Sequence, residues 1–117
     1  MGQEEHDKRV DYVEFGMTDL AKTRNFYTAV FGWGFTDYGE TYTTFNDGRL
    51  NGGFSTESPV ASGGALVVMY AVDLEAIAKS VIEHDGKIVK EIFSFPGGRR
   101  FHFADPSGNE LAVWSDQ

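Results

Sequence analysis

The sequence predicts an α+β fold of two βαβββ modules, and three observations carry that prediction. A strand–turn–strand pattern occurs twice, an Asp-Leu helix start occurs twice, and a strand-like run precedes each helix start. The order of these features is the same in both halves of the chain.

The clearest element is the stretch from Arg99 to Trp114. Phe101 and Phe103 alternate with Arg100, His102 and Ala104, and Leu111 and Val113 alternate with Glu110, Ala112 and Trp114. Asp105-Pro106-Ser107-Gly108-Asn109 between them is turn chemistry: Pro106 presets φ, Asp105 can bond the backbone ahead, and Gly108 tolerates positive φ. Tyr42 to Ser55 has the same layout around Asp47-Gly48. Aligning Gly48 with Gly108 sets Gly52 opposite Ala112, Phe54 opposite Trp114 and Ser55 opposite Ser115.

The first half opens with a strand over 10–17, with Val13, Phe15 and Met17 on one face and Tyr12, Glu14 and Gly16 on the other. Asp19 caps a helix whose apolar side carries Leu20, Phe26, Tyr27, Val30 and Phe31, and Gly32 ends it. Strands are expected over 33–38, 41–46 and 50–55. The polar, Pro- and Gly-containing stretch 56–64 reads as a linker. The second half has a strand over 65–72, a helix capped by Asp73 with Leu74, Ile77, Ala78, Val81 and Ile82 on one side, a strand over 87–93 and the hairpin. Residues 1–9 read as an N-terminal tail and 10–117 as a single domain, with module 1 over 10–55 and module 2 over 65–115.

Composition narrows the function classes. The chain has 117 residues, a formal net charge of −8 and no cysteine. Disulfides and thiolate metal sites are excluded, and a reducing cytoplasm is the compartment this composition suits. A phosphate backbone needs a basic face, so nucleic acid is not an expected partner; long-range attraction favours a cationic small molecule. The acidic start is not a signal peptide, and the longest apolar run, Ala65 to Val72, is too short to cross a bilayer, so no membrane partner is expected. A chain this short with open sheet edges is expected to form a homodimer.

Taken in order, the strand, Asp19-Leu20, Phe26-Tyr27, Val30-Phe31-Gly32-Trp33 and Asp105-Pro106-Ser107-Gly108-Asn109 resemble the vicinal oxygen chelate superfamily. That superfamily includes glyoxalase I, extradiol dioxygenases, fosfomycin-modifying enzymes and bleomycin resistance proteins. The resemblance covers residues 10–115. It implies a cup-shaped mixed sheet with helices on the outer face and a ligand inside. It also implies a divalent metal held by His, Gln and Glu side chains from the first and last strands of each module.

Transferred to this chain, the metal positions fall on Tyr12, Gly52, Val67 (or Leu66 with a one-residue slip) and Ala112. None is His or Glu, so no metal and no cofactor are expected. The resemblance then implies a glyoxalase-like or bleomycin-resistance-like protein that holds a small organic ligand in the cup. Its expected lining is Tyr12, Glu14, Phe54, Val67, Met69, Arg100, His102, Ala112 and Trp114. The alternative is a lyase, isomerase or dioxygenase of the glyoxalase type, metal-dependent or with Glu14 and His102 as acid and base. His84, in the last turn of a helix, reads as structural, and His6 as an exposed tail residue.

Overall fold

A computed structural model describes residues 3–117, apart from the side chains of Gln3 and His6, so the expectation for His6 lies outside the described residues. The tail is not wholly irregular: Gln3–His6 forms one 3₁₀ turn. Two four-stranded mixed sheets and two helices follow, as two βαβββ modules. In module 1, β1 (Tyr12–Gly16), β2 (Gly34–Tyr38), β3 (Tyr42–Asn46) and β4 (Asn51–Ser55) lie in the order β1-β4-β3-β2. In module 2, β5 (Val68–Tyr70), β6 (Lys87–Phe95), β7 (Gly98–Ala104) and β8 (Glu110–Ser115) lie in the equivalent order β5-β8-β7-β6. The first strand of each module pairs in parallel with the last, and the other pairs are antiparallel.

The helices form where their caps predict. Helix α1 (Leu20–Phe31) starts on Asp19, whose carboxylate accepts the Lys22 N–H at 2.9 Å. It ends on Gly32 at φ 74°, a left-handed conformation that glycine adopts without a Cβ clash. Helix α2 (Leu74–Glu83) starts on Asp73, which accepts the Ala76 N–H at 3.1 Å. Phe26 and Tyr27 of α1, Leu74 and Val81 of α2, and Phe45, Phe54, Phe101, Phe103, Leu111 and Val113 of the sheets join one buried cluster. The modules therefore share a single core. A stack of rings runs through it: Tyr27 lies 4.8 Å from Trp33, and Trp33 lies 4.4 Å from Phe45, with interplanar angles of 14° and 17°.

The Asp105–Asn109 turn clasps the modules together. Asp105 Oδ1 accepts the N–H groups of Ser107, Gly108 and Asn109 at 2.9–3.0 Å, which closes the turn. Asp105 Oδ2 accepts the Tyr27 hydroxyl at 2.9 Å and Asn109 Nδ2 at 3.0 Å. Asn109 Nδ2 also donates to Gly16 O at 2.8 Å, and its Oδ1 accepts the Ala61 N–H at 3.0 Å. Through buried Asp105 and Asn109, one turn thus holds the end of β1, the middle of α1 and the linker.

Two expected strand faces are corrected by the register. Val68 pairs with Ala112 and Tyr70 with Trp114, so Val68 and Tyr70 share the open face with those residues, while Val67 and Met69 pack against the core. The reason is a strand of almost uniform apolar sequence, in which period two has nothing to mark it. In β4, Glu14 pairs with Gly53 and Phe15 with Phe54, so Gly53 is the counterpart of Ala112, not Gly52. Phe54 is fully buried against Phe15 and Tyr27 instead of lining the open face. Here the cause is the turn: Asp47 N–H closes onto Leu50 O, whereas Asp105 N–H closes onto Asn109 O, one residue further along. A glycine-to-glycine alignment therefore slips the following strand by one place.

Candidate functional site

On the open face of module 1, Tyr12 and Glu14 project from β1 and Tyr42 from β3. Their hydroxyls and carboxylate form a chain: Tyr12 Oη is hydrogen-bonded to Tyr42 Oη, and Tyr42 donates to Glu14 Oε1 at 3.2 Å. Ser58, from the linker, donates to Glu14 Oε2 at 2.8 Å. Partial burial, then the hydrogen bonds to Tyr12 and Glu14, raise the Tyr42 pKa above its ordinary value, so its hydroxyl stays neutral. Gly53 floors this network, and a Cβ there would meet the hydroxyl oxygens of both tyrosines.

These are the places where the resemblance puts a divalent metal, and the residues do not fit one. Tyr12, Gly53, Leu66 (the one-residue alternative to Val67, and the counterpart of Tyr12 by its spacing to the helix cap) and Ala112 offer one phenol, no imidazole and no carboxylate. The space over Gly53 is taken by the two tyrosine hydroxyls. Among the described residues no group of three or more His, Cys, Asp or Glu side chains is placed to hold a metal ion.

On the open face of module 2, His102 of β7 sits across from Ala112 of β8 and is 6% exposed. Its Nδ1 is 2.9 Å from Glu110 Oε2. Glu14 and His102 each have their own partners in separate sheets, and no hydrogen bond joins them among the described residues. Arg100 lies on the same face, with its guanidinium 5.4 Å from the Phe93 ring and 5.8 Å from Phe95. Sequence reasoning singled out Glu14, Arg100 and His102 but missed Tyr42, Ser58 and Phe93. Tyr42 lies on its module's open face, a signal that the alternation of β3 carries, whereas Phe93 reaches the open face only through the register shifts of β6, which its sequence does not mark.

A half-open cavity of about 500 Å³ lies at the junction of the modules. Val13, Phe15, Phe31, Trp33 and Phe45 form its module 1 wall, and Val67, Val68, Met69, Tyr70 and Trp114 its module 2 wall. Asp47, Arg49 and Leu50 from the β3–β4 turn complete the lining. Of the nine residues expected to line a ligand site, the cavity gathers Val67, Met69 and Trp114. Tyr12, Glu14, Phe54, Arg100, His102 and Ala112 are not in its lining. Phe15, Phe31 and Phe45 read as core in the sequence, because nothing in a strand or helix pattern separates a filled core from a cavity wall.

Known proteins of this architecture are numerous. A glyoxalase/bleomycin resistance protein/dioxygenase family enzyme from Burkholderia phytofirmans PsJN superposes with a TM-score of 0.79 at 15% identity, covering 92% of this chain and 100% of that one. The fosfomycin resistance protein FosX from Mesorhizobium loti superposes with a TM-score of 0.74 at 13% identity, covering 94% and 93%. In sequence, the anthracycline biosynthesis protein DauV of Streptomyces sp. strain C5 is 31% identical over 124 residues, 88% of this chain but 45% of that protein. The chain therefore spans less than half the length of this curated relative. The model of the Glyoxalase/Bleomycin resistance protein/Dioxygenase superfamily matches residues 9–113, and the chain belongs to that superfamily.

Proposed function

We propose that this protein binds a flat, largely apolar organic molecule in the junction cavity, without a metal. The observation that carries the reading is the cavity wall, in which Trp33, Phe45, Phe31 and Phe15 face Met69, Val67, Tyr70 and Trp114 across about 500 Å³. That volume is within the range of small-molecule sites, and the ratio of many apolar side chains to one Asp and one Arg is what such sites show. The similarity to an anthracycline biosynthesis protein supports a flat polycyclic guest. The donor set at the metal positions supports binding over metal-assisted turnover.

The same reading includes a homodimer. Tyr12, Leu66, Val68 and Tyr70 are 36–49% exposed in and beside β1 and β5, the end strands of the two sheets, and a second copy would cover them.

Calorimetry with 1,4-dihydroxyanthraquinone tests the cavity. Val67→Phe, which adds bulk at a half-buried wall position, should abolish the binding heat while the thermal unfolding midpoint stays within a few degrees of wild type. Undiminished binding in a folded Val67→Phe protein would move the ligand elsewhere.

A further inference from the structure

Away from the junction cavity, β7 carries two buried polar atoms that have no partner. Arg100 Nε and His102 Nε2 are both inaccessible and unbonded, and they lie on the same face of one strand. Among the described residues only Thr23 Oγ1 is comparable. A finished core satisfies such atoms, so two side by side mark a place built for something else. Arg100 also makes no ion pair among the described residues, in a chain of net charge −8.

What covers these atoms is irregular. β6 pairs Lys90 with His102 and Phe93 with Arg100, and its register shifts on both sides of Lys90. Bulges on an edge strand re-aim side chains and are common beside binding sites. Here they bring Phe93 over the pair: its ring centroid is 6.0 Å from the His102 ring, and both Arg100 Cζ and Lys90 Nζ are 5.4 Å from it. Phe95 and Trp114, 6.4 Å apart, extend the aromatic surface. Glu110 bonds His102 Nδ1, and neither Arg100 nor Lys90 makes an ion pair among the described residues.

We infer that this face of β7 is a subsite for an aromatic carboxylate. Arg100 Nε–H and His102 Nε2–H hold its oxygens, and Phe93 turns aside to stack on the aromatic body. The Nε2 proton is taken up from solvent as the anion binds, because Nδ1–H is donated to Glu110. Charge-assisted donors in a half-buried site make the anion preferred over a neutral isostere. The subsite adjoins the junction cavity through Trp114, which belongs to both, but the cavity lining contains none of Lys90, Phe93, Arg100, His102 or Glu110.

The test compares 2-naphthoate with 2-naphthamide on the full chain by calorimetry. Naphthoate should bind about tenfold tighter than the amide, and Arg100→Met and His102→Gln should each remove that preference, as expected for the loss of one charge-assisted hydrogen bond. A second measurement needs no variant. In nitrogen-15 imidazole spectra of the wild-type protein, naphthoate should shift His102 Nε2 and leave His84 unchanged. Equal affinity for acid and amide, an unshifted His102 resonance, or no naphthoate binding would each overturn the proposal.

Discussion

Replacing Asn109 by alanine should be among the most damaging single polar substitutions in this protein. The amide makes three hydrogen bonds, to Gly16 O, Asp105 Oδ2 and the Ala61 N–H, and the residue is 1% exposed. Three bonds at a net of about 0.5–1.5 kcal/mol each, plus a penalty of about 1–3 kcal/mol for a buried acceptor left short of a donor, bracket the loss. Ala61 is exposed, so water can replace its partner; Gly16 and Asp105 are buried, so water cannot. The expected destabilisation is about 3–5 kcal/mol, a large share of the 5–15 kcal/mol that holds an ordinary domain together. Urea unfolding followed by circular dichroism measures it. Asn109→Asp, which keeps the shape but turns the donor into a second carboxylate oxygen against Asp105, should be at least as damaging at neutral pH. A loss below about 1 kcal/mol in Asn109→Ala would refute the clasp as the joint between modules.

Other consequences follow from named contacts. Tyr27 has its pKa raised well above 10.0, by burial first and then by Asp105, so its contribution is complete below the unfolded pKa and fades as pH rises above it. Between pH 10 and 11, wild-type stability should fall more steeply than that of Tyr27→Phe, by up to about 1.4 kcal/mol per pH unit; parallel curves would contradict this. Gly52→Ala would drive its Cβ into the Phe45 ring and the fixed Val13 carbonyl, costing about 2–3 kcal/mol, whereas Gly53→Ala meets only the ends of two tyrosines and should cost less. Light scattering over a dilution series should give a dimer mass at micromolar concentration, and a monomer mass throughout would remove the proposed second copy.

The architecture was legible because it rests on local chemistry repeated in order. Asp19 and Asp73 are true N-caps, Gly32 is a true left-handed cap, and the Asp105 turn closes as its composition demands. Strand faces were harder. Phe101, Phe103 and Leu111 alternate with polar or small neighbours, so their core face could be read directly. Leu66 to Ala71 contains no polar residue to mark a face, so a slip of one residue exchanged Val67 and Met69 for Val68 and Tyr70. The partners of Glu14 come from β3 and the linker, and those of Arg100 from β6; only the tertiary fold brings these together. The cavity was least visible, since its walls are assembled from residues that any apolar pattern assigns to the core.

The central claim is that the junction cavity holds a flat organic molecule and needs no metal to do so. Both tryptophans of the chain, Trp33 and Trp114, are in the cavity lining, so intrinsic fluorescence reports on that site. Titrating chelator-treated protein with 9,10-anthraquinone, which has no chelating hydroxyl, should quench this emission saturably, with the same midpoint after zinc, nickel or manganese is added back. No saturable quenching, or quenching that appears only once a metal is restored, would contradict the account.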